Sequence, residues 1–258
     1  MEYFNKALSI NEQKNNKKGI ASNLSNIGNL YIYNLYDRLK GLEFLLKSLT
    51  FSEELGDKEF IAATYGNIGN VYIILSNYTM ALEYYHKALA INEELGEKKY
   101  LSNTLIKIGS MYANLSFNTK ALDYYHKAIA LSQELNDKKS TSLIYGNIGN
   151  IYSNLAEYKK ALEYIEKAID INKELGEINK LSYNYRTLGY LYLKIFDYKK
   201  SFEFIQKSLS IQEQLGEKKN HIFKFIKSWK FINGCTRFSL AQFKIFKYTK
   251  IYKSRRIY

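Results

Sequence analysis

The sequence predicts an all-α protein built as a row of antiparallel helix hairpins, and three observations predict it. The stretch Tyr65 to Lys98, YGNIGNVYIILSNYTMALEYYHKALAINEELGEK, returns nearly unchanged forty residues later and again forty after that. Within it, Tyr65, Ile68, Gly69 and Tyr72, then Ala81, Leu82, Tyr85, Ala88 and Leu89, recur at spacings of three and four, which gathers each set on one face of a helix. Between units, one column holds Asn15, Gly56, Gly96, Asn136, Gly176 and Gly216, the two residue types that best tolerate the left-handed conformation ending a helix.

In chain order, residues 1–15 read as the second helix of an incomplete repeat, because Glu2, Ala7 and Leu8 fall in the columns of Glu83, Ala88 and Leu89. The next copy, about 16–55, carries one extra residue near Asp37 to Lys40. Units of about 56–95, 96–135, 136–175 and 176–215 follow in fixed register: Gly41, Ala81, Ala121, Ala161 and Ser201 form one column, and Gly28, Gly69, Gly109, Gly149 and Gly189 another. The second unit places helices near 58–75 and 78–95, each about 26 Å long. After each stop stands an acid (Asp57, Glu97, Asp137, Glu177, Glu217), suited to the positive end of the next helix.

A helical glycine costs roughly 0.8–1 kcal/mol relative to alanine, so a whole column of them needs a reason. The Gly/Ala/Ser column twelve or thirteen residues on supplies one: small residues facing each other across a hairpin let its helices approach closely. One hairpin leaves part of its apolar surface bare, and only a stacked neighbour buries it.

Composition bounds the remaining choices. The 258 residues are 46% hydrophobic and hold no run near the roughly 18 apolar residues of a membrane span, so a soluble protein is expected. The opening MEYFNKALSI lacks the form of a secretory signal, and a single cysteine, Cys235, fits a reducing compartment; both point to the cytoplasm. The net charge of +13 is unevenly placed. Residues 219–258 hold eleven Lys or Arg and no acid, which leaves 27 basic against 25 acidic residues in 1–218, or +2.

A Tyr, Ile-Gly, Tyr, Ala-Leu, Tyr, Ala series at these spacings resembles the tetratricopeptide repeat, over residues 1 to about 220. The forty-residue period resembles the longer-helix variety in Pins-like G-protein-signalling modulators and in the sensory halves of bacterial kinases and cyclases. The resemblance implies a right-handed α-α superhelix whose first helices line a concave groove for peptides or protein segments. The residues facing such a groove are then Asn26 and Asn29, Asn67 and Asn70, Lys107 and Ser110 with Asn114, Asn147 and Asn150 with Asn154, and Arg186, Tyr190 and Lys194. An asparagine side chain offers one acceptor and two donors and so pairs with both N–H and C=O of an extended backbone. These carboxamides equally suit bonds between neighbouring helices or simple solvation. Where repeat domains of this family grip acidic C-termini with a basic clamp, this chain has Gly66, Ile106 and Gly146, so that clamp is missing. The acidic-Gln-Arg signature of the Pins-like G-protein-binding motifs is also missing outside the repeats.

Other chemistry finds little support. His86 and His126 share a column of adjacent second helices, about 10 Å apart by helix packing, too far for a shared zinc, and are expected at the surface. Cys235 and His221 have no third group to orient them, and no Walker or other Gly-rich phosphate loop occurs. No catalytic residue, metal, cofactor or small-molecule substrate is expected. The segment 219–258 departs from the pattern, with Trp229 where a glycine belongs although Ala241 keeps its column. It reads as a degenerate cap, a basic aromatic arm for membrane or nucleic acid, or an out-of-frame remnant. The sequence therefore predicts a protein-interaction scaffold, with two alternatives: the sensory fragment of a larger signalling kinase or cyclase, and weak polyanion or membrane-surface binding through the tail.

Overall fold

Short polar side chains start the helices. In the computed structural model, which describes residues 2–216, the side chains of Asn16, Asp37, Asp57, Asn77, Asp137 and Asp197 each accept the backbone N–H three residues on. Such a bond satisfies a donor the helix leaves open and contributes about 1 kcal/mol. Glu97, Glu157 and Glu177 hold the same position without that bond; Glu177 instead reaches Lys139 of the preceding repeat at 2.9 Å.

Eleven helices result among the described residues: α1 (Glu2–Gln13), α2 (Lys17–Tyr33), α3 (Arg38–Leu55), α4 (Lys58–Ile74), α5 (Tyr78–Leu95), α6 (Lys98–Asn114), α7 (Asn118–Glu134), α8 (Lys138–Asn154), α9 (Tyr158–Glu174), α10 (Ile178–Lys194) and α11 (Tyr198–Gln214). Gly56, Gly96, Gly176, Gly216, Asn15 and Asn136 all take positive φ, so the column of expected stops is where each second helix ends. A second left-handed column went unforeseen. Tyr36, Ser76, Ser116, Ala156 and Phe196, with φ between 57° and 64°, turn the chain inside each hairpin, a conformation that costs an L-residue roughly 1–2 kcal/mol.

Even-numbered helices from α2 to α10 pair with the odd-numbered helices that follow them, and each hairpin stacks on the next. The first helices also meet one another directly, α6 against α8 and α8 against α10, which puts them on the inside of the curve. The architecture is a right-handed α-α superhelix of antiparallel hairpins. An aromatic stack pins each hairpin: Tyr31 on Phe44, Tyr72 on Tyr84, Tyr112 on Tyr124, Tyr152 on Tyr164 and Tyr192 on Phe204, with centroids 5.4–5.6 Å apart. Each is worth about 0.5–1.5 kcal/mol beyond its buried area. Between repeats lies a buried polar layer, in which Asn92 donates to Thr104 Oγ1 at 3.0 Å and Ser142 donates to Asn172 Oδ1 at 2.7 Å.

The glycine column has a somewhat different cause from the one expected. A Cβ on Gly28 would stand 2.9 Å from the carbonyl of Gly41, a backbone contact of the kind anticipated. On Gly69 and Gly109 it would instead strike the rings of Tyr85 and Tyr125 at 2.8 and 2.9 Å, and on Gly149 and Gly189 it would strike Ile165 and Ile205 at 2.7 and 2.6 Å. The glycine admits the large residue sixteen positions on, and the small residue twelve on is a secondary contact. His86 also needs correction: it is half-buried, with its ring edge-on to Tyr112 and Tyr124, and burial lowers its pKa. His126 is exposed. The segment 219–258, with His221, Trp229, Cys235 and Ala241, lies outside the described residues.

Candidate binding groove

The inner face is built from one side of α2, α4, α6, α8 and α10. Asn26 of α2 is exposed and Asn29 half-buried. On α4, Asn67 is half-buried, and Asn70 is already engaged: its Oδ1 accepts the Tyr85 hydroxyl at 2.7 Å and the Lys107 ammonium at 3.0 Å. One turn further along its own helix from Lys107, Ser110 meets the Tyr125 hydroxyl at 3.0 Å, and the Asn147 side chain of α8 bonds that hydroxyl too. Asn150 donates to the Tyr183 hydroxyl of α10 at 3.1 Å. Asn114 and Asn154 end their helices, exposed. Side chains of α4 and α6 are thus tied together through Asn70 and Lys107, and Asn70, Ser110 and Asn150 are each tied to a tyrosine.

Those tyrosines were in view in the repeat pattern, but their hydroxyls were not read as groove groups. Tyr85 and Tyr125 fill the core beneath the glycines with their hydroxyls directed at the inner face. Burial pushes the Tyr125 phenol up to about 12 and that of Tyr85 higher still. In the next two hairpins Ile165 and Ile205 occupy that column, so no hydroxyl rises from the core there.

Basic side chains on the inner face lie over aromatic rings. Lys107 sits over Tyr85 at 5.4 Å, Arg186 over Tyr183 at 5.2 Å and Lys194 over Tyr190 at 5.1 Å. The remaining lysines of the first helices cluster at the helix starts, where Lys17 pairs with Glu54, Lys58 with Glu94, Lys98 with Glu134 and Lys138 with Glu174. Those pairs are exposed and individually weak. Two other signals were not read from the sequence. Gly66 and Gly146 have room for a side chain, the nearest atom to a Cβ on Gly146 being Asn184 Oδ1 at 3.8 Å. Asn184 is itself buried with its Nδ2 unpaired.

A cleft of roughly 470 Å³ opens between α4 and α6, lined by Gly66, Asn67, Tyr85, Asn103, Thr104 and Lys107, with Lys18, Asp57 and Glu59 toward the helix starts. No group of His, Cys, Asp or Glu among the described residues is arranged to hold a metal ion, and no helix among them is long and apolar enough to cross a membrane.

Comparison with known proteins agrees with this architecture. A family model for the tetratricopeptide repeat matches residues 19–94, 60–113 and 100–174, and a second model of that description matches 184–215. No curated protein sequence matches. Among solved structures, the chain is similar to BtubC (BKLC) from P. vanneervenii, at 18% identity over 85% of this chain and 92% of that one, with a TM-score of 0.74. It is similar to RapI in its apo form, at 19% identity over 98% and 69%, TM-score 0.74. It is also similar to aspartyl phosphate phosphatase F from Bacillus subtilis, at 16% identity over 96% and 64%, TM-score 0.73. At these identities the likeness is one of fold.

Proposed function

This chain belongs to the tetratricopeptide-repeat family, and we propose that it is a non-catalytic scaffold that holds an extended peptide or protein segment along the inner face of the first helices. One observation carries the reading. The face where successive first helices meet presents carboxamides, hydroxyls and ring-seated cations at each step from α4 to α10, a pattern that suits the alternating N–H and C=O of an extended backbone. Asn67, Asn114 and Asn154 are the contacts we assign most directly to such a segment, since among the described residues no other side chain bonds them. Asn70, Asn147 and Asn150 serve twice, bracing tyrosines and lining the groove.

The test is selection of peptides from a displayed random library on the full chain, followed by Asn67→Ala, Asn114→Ala and Asn154→Ala combined. Binding of the selected peptides should fall at least tenfold while the helical circular dichroism stays unchanged. Retained binding, with loss instead on Glu83→Ala and Lys127→Ala in the second helices, would move the site to the outer face.

A further inference from the structure

Charge is sorted between the two layers of the superhelix. The first helices α2, α4, α6, α8 and α10 hold eleven Lys or Arg and a single acid, Glu59, whereas the second helices α3, α5, α7, α9 and α11 are balanced at thirteen basic and fourteen acidic residues. Most first-helix lysines sit near helix starts, where carboxylates of the second helices or the caps neutralise them. Lys107 is different: it lies in the middle of α6, half-buried on the wall of the cleft. Its ammonium donates to Asn70 Oδ1 and rests on the Tyr85 ring. Burial pulls its pKa below the ordinary lysine value, and no carboxylate among the described residues acts to raise it. Asp57 and Glu59 line the far part of the same cleft, and Asp57 is engaged by Lys18 at 3.2 Å and by its own helix cap.

A partly desolvated cation with neutral partners alone is an unfavourable arrangement, and an ammonium has three donors of which Asn70 takes one. The amides of Asn67 and Asn103 line the same cleft, while the Thr104 hydroxyl there is already committed to Asn92 and the Tyr100 carbonyl. Opposite is Gly66, with nothing within 4 Å of where its Cβ would be. Since Gly66 is helical and without positive φ, its missing side chain meets no backbone need, and its effect is to leave the cleft open. We infer that the cleft between α4 and α6 is a pocket for one side-chain carboxylate, an aspartate or glutamate of the segment held in the groove, with Lys107 as its counter-ion. A single ammonium balances a single carboxylate charge, whereas a phosphate dianion would call for a second cation, and Lys18 is committed to Asp57. This assignment rests on the groove reading and sharpens it: the partner is acidic at one position opposite α6.

The library selection separates the two. Wild-type chain should enrich peptides with Asp or Glu at one fixed position. Against a selected glutamate peptide, Lys107→Met should lose at least tenfold in affinity, while its glutamine analogue binds both proteins equally. Gly66→Leu should lose the same acidic preference with a thermal midpoint equal to or above wild type, so that lost binding is not lost folding. Peptides enriched without an acidic position, or an acidic preference intact in Lys107→Met, would overturn the pocket and leave the groove standing. A selection that enriches nothing would remove the groove and the pocket with it. Free succinate belongs in the competition: displacement of the peptide at equal concentration would assign the pocket to a small dicarboxylate and overturn the peptide assignment.

Discussion

The hairpins α4–α5 and α6–α7 and the hairpins α8–α9 and α10–α11 share one pattern and solve one packing problem with different chemistry. In the first pair the residue that fills the space under the glycine is tyrosine, Tyr85 or Tyr125; in the second it is isoleucine, Ile165 or Ile205. A tyrosine in that column carries its hydroxyl through the core to the inner face, where Asn70 and Ser110 receive it. An isoleucine ends inside the core. The column of Asn70, Ser110 and Asn150 therefore braces the fold in the first pair, while in the second Asn150 looks across the groove to Tyr183. Core and binding face are linked in one half of the molecule and separate in the other.

The largest test of that difference is truncation of the plug itself. Tyr125→Ala should cost about 4 kcal/mol, and Ile165→Ala about 3 kcal/mol, read as urea midpoints. Both losses should spread to neighbouring repeats, because stability is shared across interfaces. Only the tyrosine variant should also weaken peptide binding, since it releases Ser110 and Asn147.

Adding a methyl under the plug gives the next contrast. At Gly69 the obstacle is the Tyr85 ring, anchored at its far end by Asn70; at Gly149 it is Cγ1 and Cδ1 of the buried Ile165, whose side chain no hydrogen bond anchors. Gly69→Ala should cost about 2 kcal/mol through overpacking. Gly149→Ala should cost about 1 kcal/mol less, because moving Ile165 breaks no hydrogen bond whereas moving Tyr85 strains the one to Asn70. Equal thermal midpoints for the two variants would contradict the claim that the plugs differ in rigidity.

A smaller change isolates the hydroxyl. An unfolded tyrosine ionises near pH 10, and Tyr125 in the fold near 12, so its contribution is complete below pH 10 and is lost as pH rises toward 12. Tyr125→Phe should lose about 1 kcal/mol at neutral pH and show a flatter alkaline decline than wild type. Lys107 has the opposite sign. Its lowered pKa penalises the fold below that pKa, so Lys107→Met should raise the midpoint at neutral pH, with the gain shrinking toward pH 10.5. At the turns inside the hairpins, Ala156→Gly should stabilise by up to about 1 kcal/mol, since glycine adopts the observed φ of 61° without strain.

The reading of the sequence succeeded where the physics is local and repeated. A forty-residue period, a glycine or asparagine at each stop and apolar residues at three-four spacing depend on backbone geometry that each unit restates. The bounds of α4 and α5 follow from such signals almost directly. The site was less legible because an asparagine on an inner face looks the same in sequence whether it waits for a ligand or holds a tyrosine fifteen residues on, as Asn70 does. The change from Tyr to Ile in the plug column was visible and would have exposed the distinction. The left-handed Ser76, Ser116 and Ala156 could not be read in the same way, because no residue type there demands positive φ; the short link between paired helices imposes it. His86 was placed wrongly for a related reason: its column suggests the surface, yet Tyr112 and Tyr124 close over it.

The linkage of core to groove is tested most directly by two double-mutant cycles run on the full chain. Tyr85→Phe with Asn70→Ala should show a coupling of about 1 kcal/mol, the worth of one hydrogen bond lost in common. Ile165→Val with Asn150→Ala, at the matching positions of the aliphatic hairpin, should be additive within about 0.5 kcal/mol. Equal couplings in the two cycles would contradict the account.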